Sequence, residues 1–548
     1  MQISLKSFVT IFCVFVFSFI QAQQSTYQIL DVNNFHLGLF AKGAIGLNAG
    51  DDLFHYAFAP AGSITSPLTA AYFWLTAKDN YGDTKGYKPF YYAGNDPQSG
   101  PAADSLFTPL QQMRYNDLFY GVWQITKEEI DYHKAHWFEV GYVASDAILD
   151  WPANGDSIVQ TAAQLAPFAD GNYNGIYEPL LGEYPVIKGD KCLFTFFNDY
   201  NSTLPDDEDN PWKTGNEVHM MMYAYNENAA SVLGNTIFLN YKIIPRSETI
   251  ILDTVFIGFF LHTKIGYALD NYRGSDSTLS LMYAYNGDLL DGPDTLAYKD
   301  MLPAFGVTSL SHPLYSAMFD LYDFGVTLPP YNVEEAYTYL QGYYKDGSHA
   351  TYGGIGIGTG YPTNFIMSDR PDIPGGWSDV AMNNPGTDIL GIAGIGPFSL
   401  KKGDTICVEL ALVFANDLSY TDNVSSVLLL YQMVAQLRAL YAFSNTDECI
   451  RSFNDTTILN LNVPDIDPFL LYPNPANESV NVYTGSMQDE TLQIELYNMA
   501  AQKVYAGSFE IAEPNSTITI PLSNLQSGVY AVVFYYHGSR STELLVVY

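Results

Sequence analysis

The chain has 548 residues, 47% of them hydrophobic and 15% charged, a balance that can bury large cores and excludes disorder as its general state. Acidic residues outnumber basic ones 59 to 24, and the resulting formal charge of −35 would repel phosphate, which excludes a nucleic-acid partner. The length exceeds one compact domain, and 43 Tyr with 33 Phe favour strands and broad amphipathic surfaces.

The first residues have the parts of a secretory signal: Lys6, an apolar run from Phe8 to Ile20, and Ala22 as a cleavage point, so 1–22 is expected to be removed. That run is short of the roughly 20 residues that span a bilayer, and no later stretch qualifies, so no transmembrane segment is expected. Cys13 leaves with the signal. Cys192, Cys407 and Cys449 remain without zinc spacing, and either one bridge with a free buried thiol or three buried thiols fits them.

Residues 23–149 form an N-terminal β-rich region, in which Leu68–Asp79 is apolar enough for a buried strand. Thr126 to Trp137 is predicted as a helix, because Thr126 and Glu129 make a capping box. His133 and His136 lie one turn apart, but with no third ligand nearby they are expected to face solvent.

Residues 150–445 are predicted as the body. Between Leu165 and Asp190, Asp170, Asn172 and Asn174 stand at positions 1, 3 and 5 of a loop, with Gly175 at 6 and Ile176 at 7 offering its carbonyl. This is the opening half of an EF-hand-type loop. Leu181 replaces the closing carboxylate, so Glu178, Glu183 and Asp190 are the candidates to complete an oxygen shell. The expectation is a structural calcium ion stapling a long loop; the alternative is a string of Asx-turns with no ion.

Four strand signals follow at hairpin spacing: Cys192–Asp199, Glu217–Asn226, Thr236–Ile244 and Leu252–Gly266, with an acidic solvated turn at Pro205–Trp212. Glu217 and His219 share one face of their strand, as a metal pair, an acid–base pair or a histidine held by its neighbour. Asp270, Asn271 and Asp276 form a second ion-site candidate. Met301 to Leu390 reads as loop-rich, and its glycine run Gly353–Gly360 as a surface loop. Asp404–Asp417 is predicted as a buried strand and Thr421–Phe443 as a helix capped by Asp422; 446–467 is a polar linker.

In 468–548 apolar residues alternate: Val480 and Val482; Leu492, Ile494 and Leu496; Ile518 and Ile520; Val529, Ala531 and Val533. A period of two predicts half-buried strands, hence a small Ig-like β-sandwich. The fold class expected for the whole chain is mainly β: a large antiparallel β-sandwich body with a few helices, followed by that small sandwich.

YPNPA at Tyr472–Ala476, LYNMAAQKV from Leu496 and SGVYAVVF from Ser527 resemble the type A C-terminal sorting domain of the Bacteroidetes type IX secretion system. The resemblance implies passage through the periplasm to the outer-membrane surface or the medium, with the secretion machinery as a partner. The body, with DWPANGD at Asp150–Asp156, the ion loop, EVHMMMYAYN, LNYKIIPRS and GPFSLKKGD, resembles a large family of secreted Bacteroidetes proteins from which no activity is carried over. Similar proteins have Asp where this chain has Asn174. Seven Asp-Ser/Thr pairs, at Asp104, Asp156, Asp253, Asp276, Asp294, Asp404 and Asp455, resemble the O-glycosylation acceptor of exported Bacteroidetes proteins.

No nucleophile elbow, HExxH, P-loop or Cys–His signature is present in the sequence. The first functional expectation is therefore a secreted or surface protein with an adhesion, matrix or glycan-binding role. The alternative is a secreted hydrolase of polysaccharide or protein whose site is assembled from distant loops.

Overall fold

The computed structural model describes residues 25–46, 57–87, 97–103, 107–200, 211–293, 297–321, 325–358, 360–419, 422–442, 449 and most of 469–547. The signal segment, all of the linker but Cys449, residues 205–210 of the acidic turn and the motif copies at Asp104, Asp294 and Asp455 lie outside them.

The body is a sandwich of two antiparallel sheets. A nine-stranded sheet runs, in spatial order, through Asn271–Asp276, Leu281–Asn286, Ala304–Ser309, Ile406–Ala415, Thr236–Pro245, Asn216–Ala224, Lys191–Asn198 and Gln98–Ser99, with Trp123–Thr126 also paired to Lys191–Asn198. A five-stranded sheet runs Leu314–Phe319, Ile389–Leu400, Leu252–Thr263, Leu68–Asp79 and Thr84–Tyr87. Residues from both sides of position 150 thus pair within the same sheets.

Strand parity decides which side chain goes where. In the nine-stranded sheet Val218, Met220, Met222, Leu239, Tyr241, Val408 and Leu412 point inward, against the face of the other sheet that carries Phe73, Phe259 and Leu261. Trp74 stacks on Phe260 at 5.3 Å on the opposite face of that sheet, the face that Leu340 covers. The alternate residues Met221, Tyr223, Phe238, Ala411 and Val413 point outward into a second core, under the Ser425–Ala442 helix and the segments of 109–187. Both faces of these strands are covered, which is why they read as nearly continuous apolar runs.

The capping box places the Lys127–His136 helix as expected: the Thr126 hydroxyl accepts from Glu129 N, and the Glu129 carboxylate accepts from Thr126 N. Asp422 accepts from Val424 N and Ser425 N at the start of the long helix. The stretch expected to be loop-rich contains two strands, Ala304–Ser309 and Leu314–Phe319. They are six residues each and almost wholly buried, so neither length nor alternation marks them.

Cys407 is bonded to Cys449, fastening the start of the linker region to the nine-stranded sheet, and Cys192 is a buried free thiol. A bridge across 42 residues contributes about 2–4 kcal/mol by restricting the unfolded chain.

The C-terminal module packs a three-stranded sheet (Leu470–Tyr472, Ser479–Tyr483, Thr517–Pro521) with a four-stranded one (Lys503–Ile511, Glu490–Asn498, Gly528–Tyr536, Ser539–Val547). Its core takes Val480, Val482, Leu492, Ile494, Leu496, Ile518 and Ile520 as expected. In the Gly528–Tyr536 strand the phase differs. Tyr530, Val532 and Phe534 enter the core, whereas of the expected set Val529 is exposed, Ala531 half-buried and only Val533 buried. Both phases of that strand are apolar, and the set with two aromatic rings buries more surface.

Candidate functional site

The 165–190 segment crosses the outer face of the nine-stranded sheet as a tight loop. Tyr173 and Gly175 adopt left-handed backbone, the bend for which the glycine is needed. The Asp170 carboxylate accepts from Asn174 N at 3.2 Å and Gly175 N at 2.7 Å, and Asn172 Oδ1 accepts from Asn174 N at 3.0 Å. Asn174 Oδ1 accepts from Ile176 N, and the amides of Asn172 and Asn174 both donate to Glu178 Oε2, at 3.0 and 2.7 Å. Glu183, buried beneath, accepts from Gly171 N at 3.1 Å and Glu178 N at 2.7 Å.

The structure therefore gathers Asp170, Asn172, Asn174, Glu178 and Glu183 around one loop that also contains Ile176. Asp190 is engaged elsewhere: it accepts from Asn226 N at 2.9 Å, just ahead of the Lys191–Asn198 strand. Among the described residues no three acidic, histidine or cysteine side chains converge on one point. The donor set is oxygen-only and suits a hard cation such as calcium.

Two contacts hold this loop to the Lys127–His136 helix. His133 is buried, not solvent-facing, with one ring nitrogen 3.1 Å from Glu183 O and the other 2.9 Å from the Tyr142 hydroxyl. Burial holds its pKa below the usual histidine value. Gly182 lies against the Trp137 ring, where a Cβ would have no room. His136 instead pairs with Glu139 at 3.0 Å.

The second ion candidate is divided by the fold. Asp276 caps its own turn through Thr278 and Leu279, while Asp270 lies near Asp288 and Asp291. Burial, reinforced by those two carboxylates, pushes Asp270 up to about 6.

Beside the loop, the outer face of the sheet is left open as a cavity of about 640 Å³, within the range of small-ligand sites. Strand register lays its floor out in rows. One runs Phe196, His219, Lys242, Cys407; the next runs Phe194, Met221, Asn240, Glu409. Residues 164–168 and Asp170 form one wall, Val186–Lys188 another, and Thr405 and Cys449 a third. Asp170 and His219, 49 positions apart, thus line the same space.

Two buried carboxylates underlie this floor. Glu217 receives His219 Nε2 and Arg246 Nη2 at 2.6 Å each on one oxygen, and Ala102 N at 2.7 Å and Arg246 Nε at 3.2 Å on the other. Burial alone would raise its pKa, but the hydrogen bonds and charges of His219 and Arg246 outweigh that and hold it down at about 2. Glu409 accepts from Lys188 Nζ and Asn240 Nδ2 at 2.7 Å each and from the Tyr223 hydroxyl at 2.5 Å. Neither Glu409 with its partner Lys188 nor Arg246, the partner of Glu217, carries a local signal in the sequence; Lys188 and Glu409 are 221 positions apart.

In the four described Asp-Ser/Thr motif copies the hydroxyl-bearing residues, Ser157, Thr254, Ser277 and Thr405, are all exposed.

Among known proteins, residues 470–548 match the family of secretion system C-terminal sorting domains. The C-terminal module is a type IX secretion sorting domain, and the chain is exported to the cell surface or the extracellular space. No curated protein matches the chain. Among solved structures, a polysaccharide lyase is 10% identical over 70% of this chain, which spans 38% of the lyase, with a TM-score of 0.23. A GalM/aldose epimerase homologue from C. elegans is 8% identical over 71% of this chain and 99% of its own, with a TM-score of 0.21. Dimeric latent PorU from Porphyromonas gingivalis is 12% identical, covering 65% and 31%, with a TM-score of 0.15. Scores this low carry no information on chemistry.

Two outcomes are expected. A chain lacking residues 470–548 should accumulate in the periplasm on cell fractionation, and its normal arrival at the surface or in the medium would contradict the sorting role. Because the folded pKa of Glu217 lies below its ordinary value of 4.5, its contribution is complete above that value and is lost as pH falls toward about 2. That contribution is on the order of 3 kcal/mol. Glu217→Gln should cost about 3–5 kcal/mol at neutral pH, since it leaves Arg246 without its anion. In urea titrations the gap between the two proteins should narrow as pH drops from about 5 to 2.

Proposed function

We propose, on the premise that the chain is exported by the type IX secretion system, that its body is a non-catalytic binding module for extracellular glycan or matrix. The cavity on the outer sheet face is the ligand site. One observation carries this reading: the carboxylates beneath the cavity floor, Glu217 and Glu409, are each saturated with donors and tied to cations. A general acid or base needs a pKa close to the working pH and a free route to the substrate, and a carboxyl held at about 2 is a poor proton donor or acceptor at neutral pH. The floor offers hydrogen-bond donors and apolar surface, which is the chemistry of binding.

Calcium in the adjoining loop completes the reading. Asp170, Asn172, Asn174 and the Ile176 carbonyl would hold it, with Glu178 or Glu183 closing the shell. The ion would supply rigidity, since the same loop forms the cavity wall through Asp170 and the residues before it. Extracellular sites of this kind have dissociation constants of about 10⁻⁴–10⁻³ M.

The test is a glycan screen on the full exported chain, with and without calcium. Saturable binding without release of shortened product is expected, with weaker binding in chelator. Calcium at ten to a hundred times its dissociation constant should stabilise the protein by roughly 1.4–2.7 kcal/mol, an increment that Asp170→Ala removes. Product release would overturn the non-catalytic reading, and an identical melting curve in calcium and chelator would remove the ion.

A further inference from the structure

The charges around the cavity differ from those of the chain as a whole. Against a net −35, the side chains that reach this space include Lys188, His219, Lys242 and Arg246, and Asp170 is the acidic one. Most of these charges are already engaged. Lys188 is held by Glu409, and His219 and Arg246 by Glu217. Both Asp170 oxygens accept from backbone N–H groups.

Lys242 is the exception. It stands between His219 and Cys407 in its row and is half-buried, and none of the described residues forms an ion pair or side-chain hydrogen bond with its ammonium group. Arg246 retains N–H donors beyond those directed at Glu217, and its side chain is 26% exposed. A half-buried ammonium with no partner among the described residues, in the same cavity as a guanidinium with donors to spare, is poised for an anion, because desolvation strengthens a charge-assisted hydrogen bond.

We infer that the ligand of this cavity is an acidic glycan, whose carboxylate or sulfate group is received by Lys242, with Arg246 as a second cation lining the same cavity. The inference rests on the binding reading above and specifies its substrate class. Apolar lining residues with accessible surface, Phe168, Val186 and Ile244, would carry the uncharged face of the sugar ring. An uncommitted cation within a strongly acidic surface also discriminates: a polyanion is repelled elsewhere and neutralised here.

The test uses the full chain and three probes of matched length: oligogalacturonate, a sulfated galactan oligomer and the neutral galactan oligomer. By titration calorimetry at least one acidic probe should bind about tenfold or more tightly than the neutral one, and lose that margin as salt rises. Whichever acidic probe binds tells carboxylate from sulfate. Lys242→Gln should remove the margin and Lys242→Arg should keep it, with both variants melting near the parent because no described residue is ion-paired or hydrogen-bonded to the Lys242 ammonium. Equal binding of neutral and acidic probes, or an unchanged margin in Lys242→Gln, would overturn the acidic specificity and leave glycan binding standing. Failure of all three probes would count against both.

Discussion

Glu217 and Glu409 lie wholly buried on the outer face of the nine-stranded sheet, and a buried carboxylate is tolerated only with a complete set of donors. Meeting that condition draws in Asn240 from the Thr236–Pro245 strand and Arg246 from just past its end, His219 from the neighbouring strand and Lys188 from the loop. The outcome is a polar floor that the helical layer does not cover. Charges placed in this way contribute little net stability compared with an apolar repacking, so their presence is better explained by what they hold in place.

The geometry around that floor follows from the rest of the body. The Ser425–Ala442 helix covers the face over the strands at 281–309 and 406–415, and the 109–187 segments cover it over 123–126 and 191–198. Among the described residues the region left open is the one between them, where His219, Lys242 and Asn240 point outward. The 170–183 loop closes one side and is itself braced by His133 and Trp137. The Cys407–Cys449 bridge closes another. Loop, helix and disulfide thus act on the same space, which is how an ion held some residues away would alter a ligand's affinity.

Local rules were readable from the sequence and distant ones were not. The capping box at Thr126, the Asp422 cap and the hairpin strands from 192 to 263 each depend on residues within a few positions, and each was visible. So was the C-terminal module, whose half-buried strands alternate. The strand at 528–536 was placed one residue out of phase because both of its faces are apolar. The strands at 304–309 and 314–319 were missed because full burial erases periodicity. His133 was assigned to solvent because its partners, Tyr142 and the Glu183 carbonyl, belong to other elements. The ion-loop residues could be singled out individually, but their place in a cavity wall with His219 and Lys242 is set by strand register, which no local pattern encodes.

Lysine acylation read by mass spectrometry on the full chain tests most directly whether the open floor is where ligand binds. Lys134 is 45% exposed on the helix beside Trp137 and Phe138 and serves as the internal control for a surface-aromatic mode of binding. Saturation with the glycan that binds in solution should protect Lys242 and leave Lys134 reacting as before. Protection of Lys134 with Lys242 unaffected would place the ligand on the exposed aromatic surface and contradict the cavity as the site.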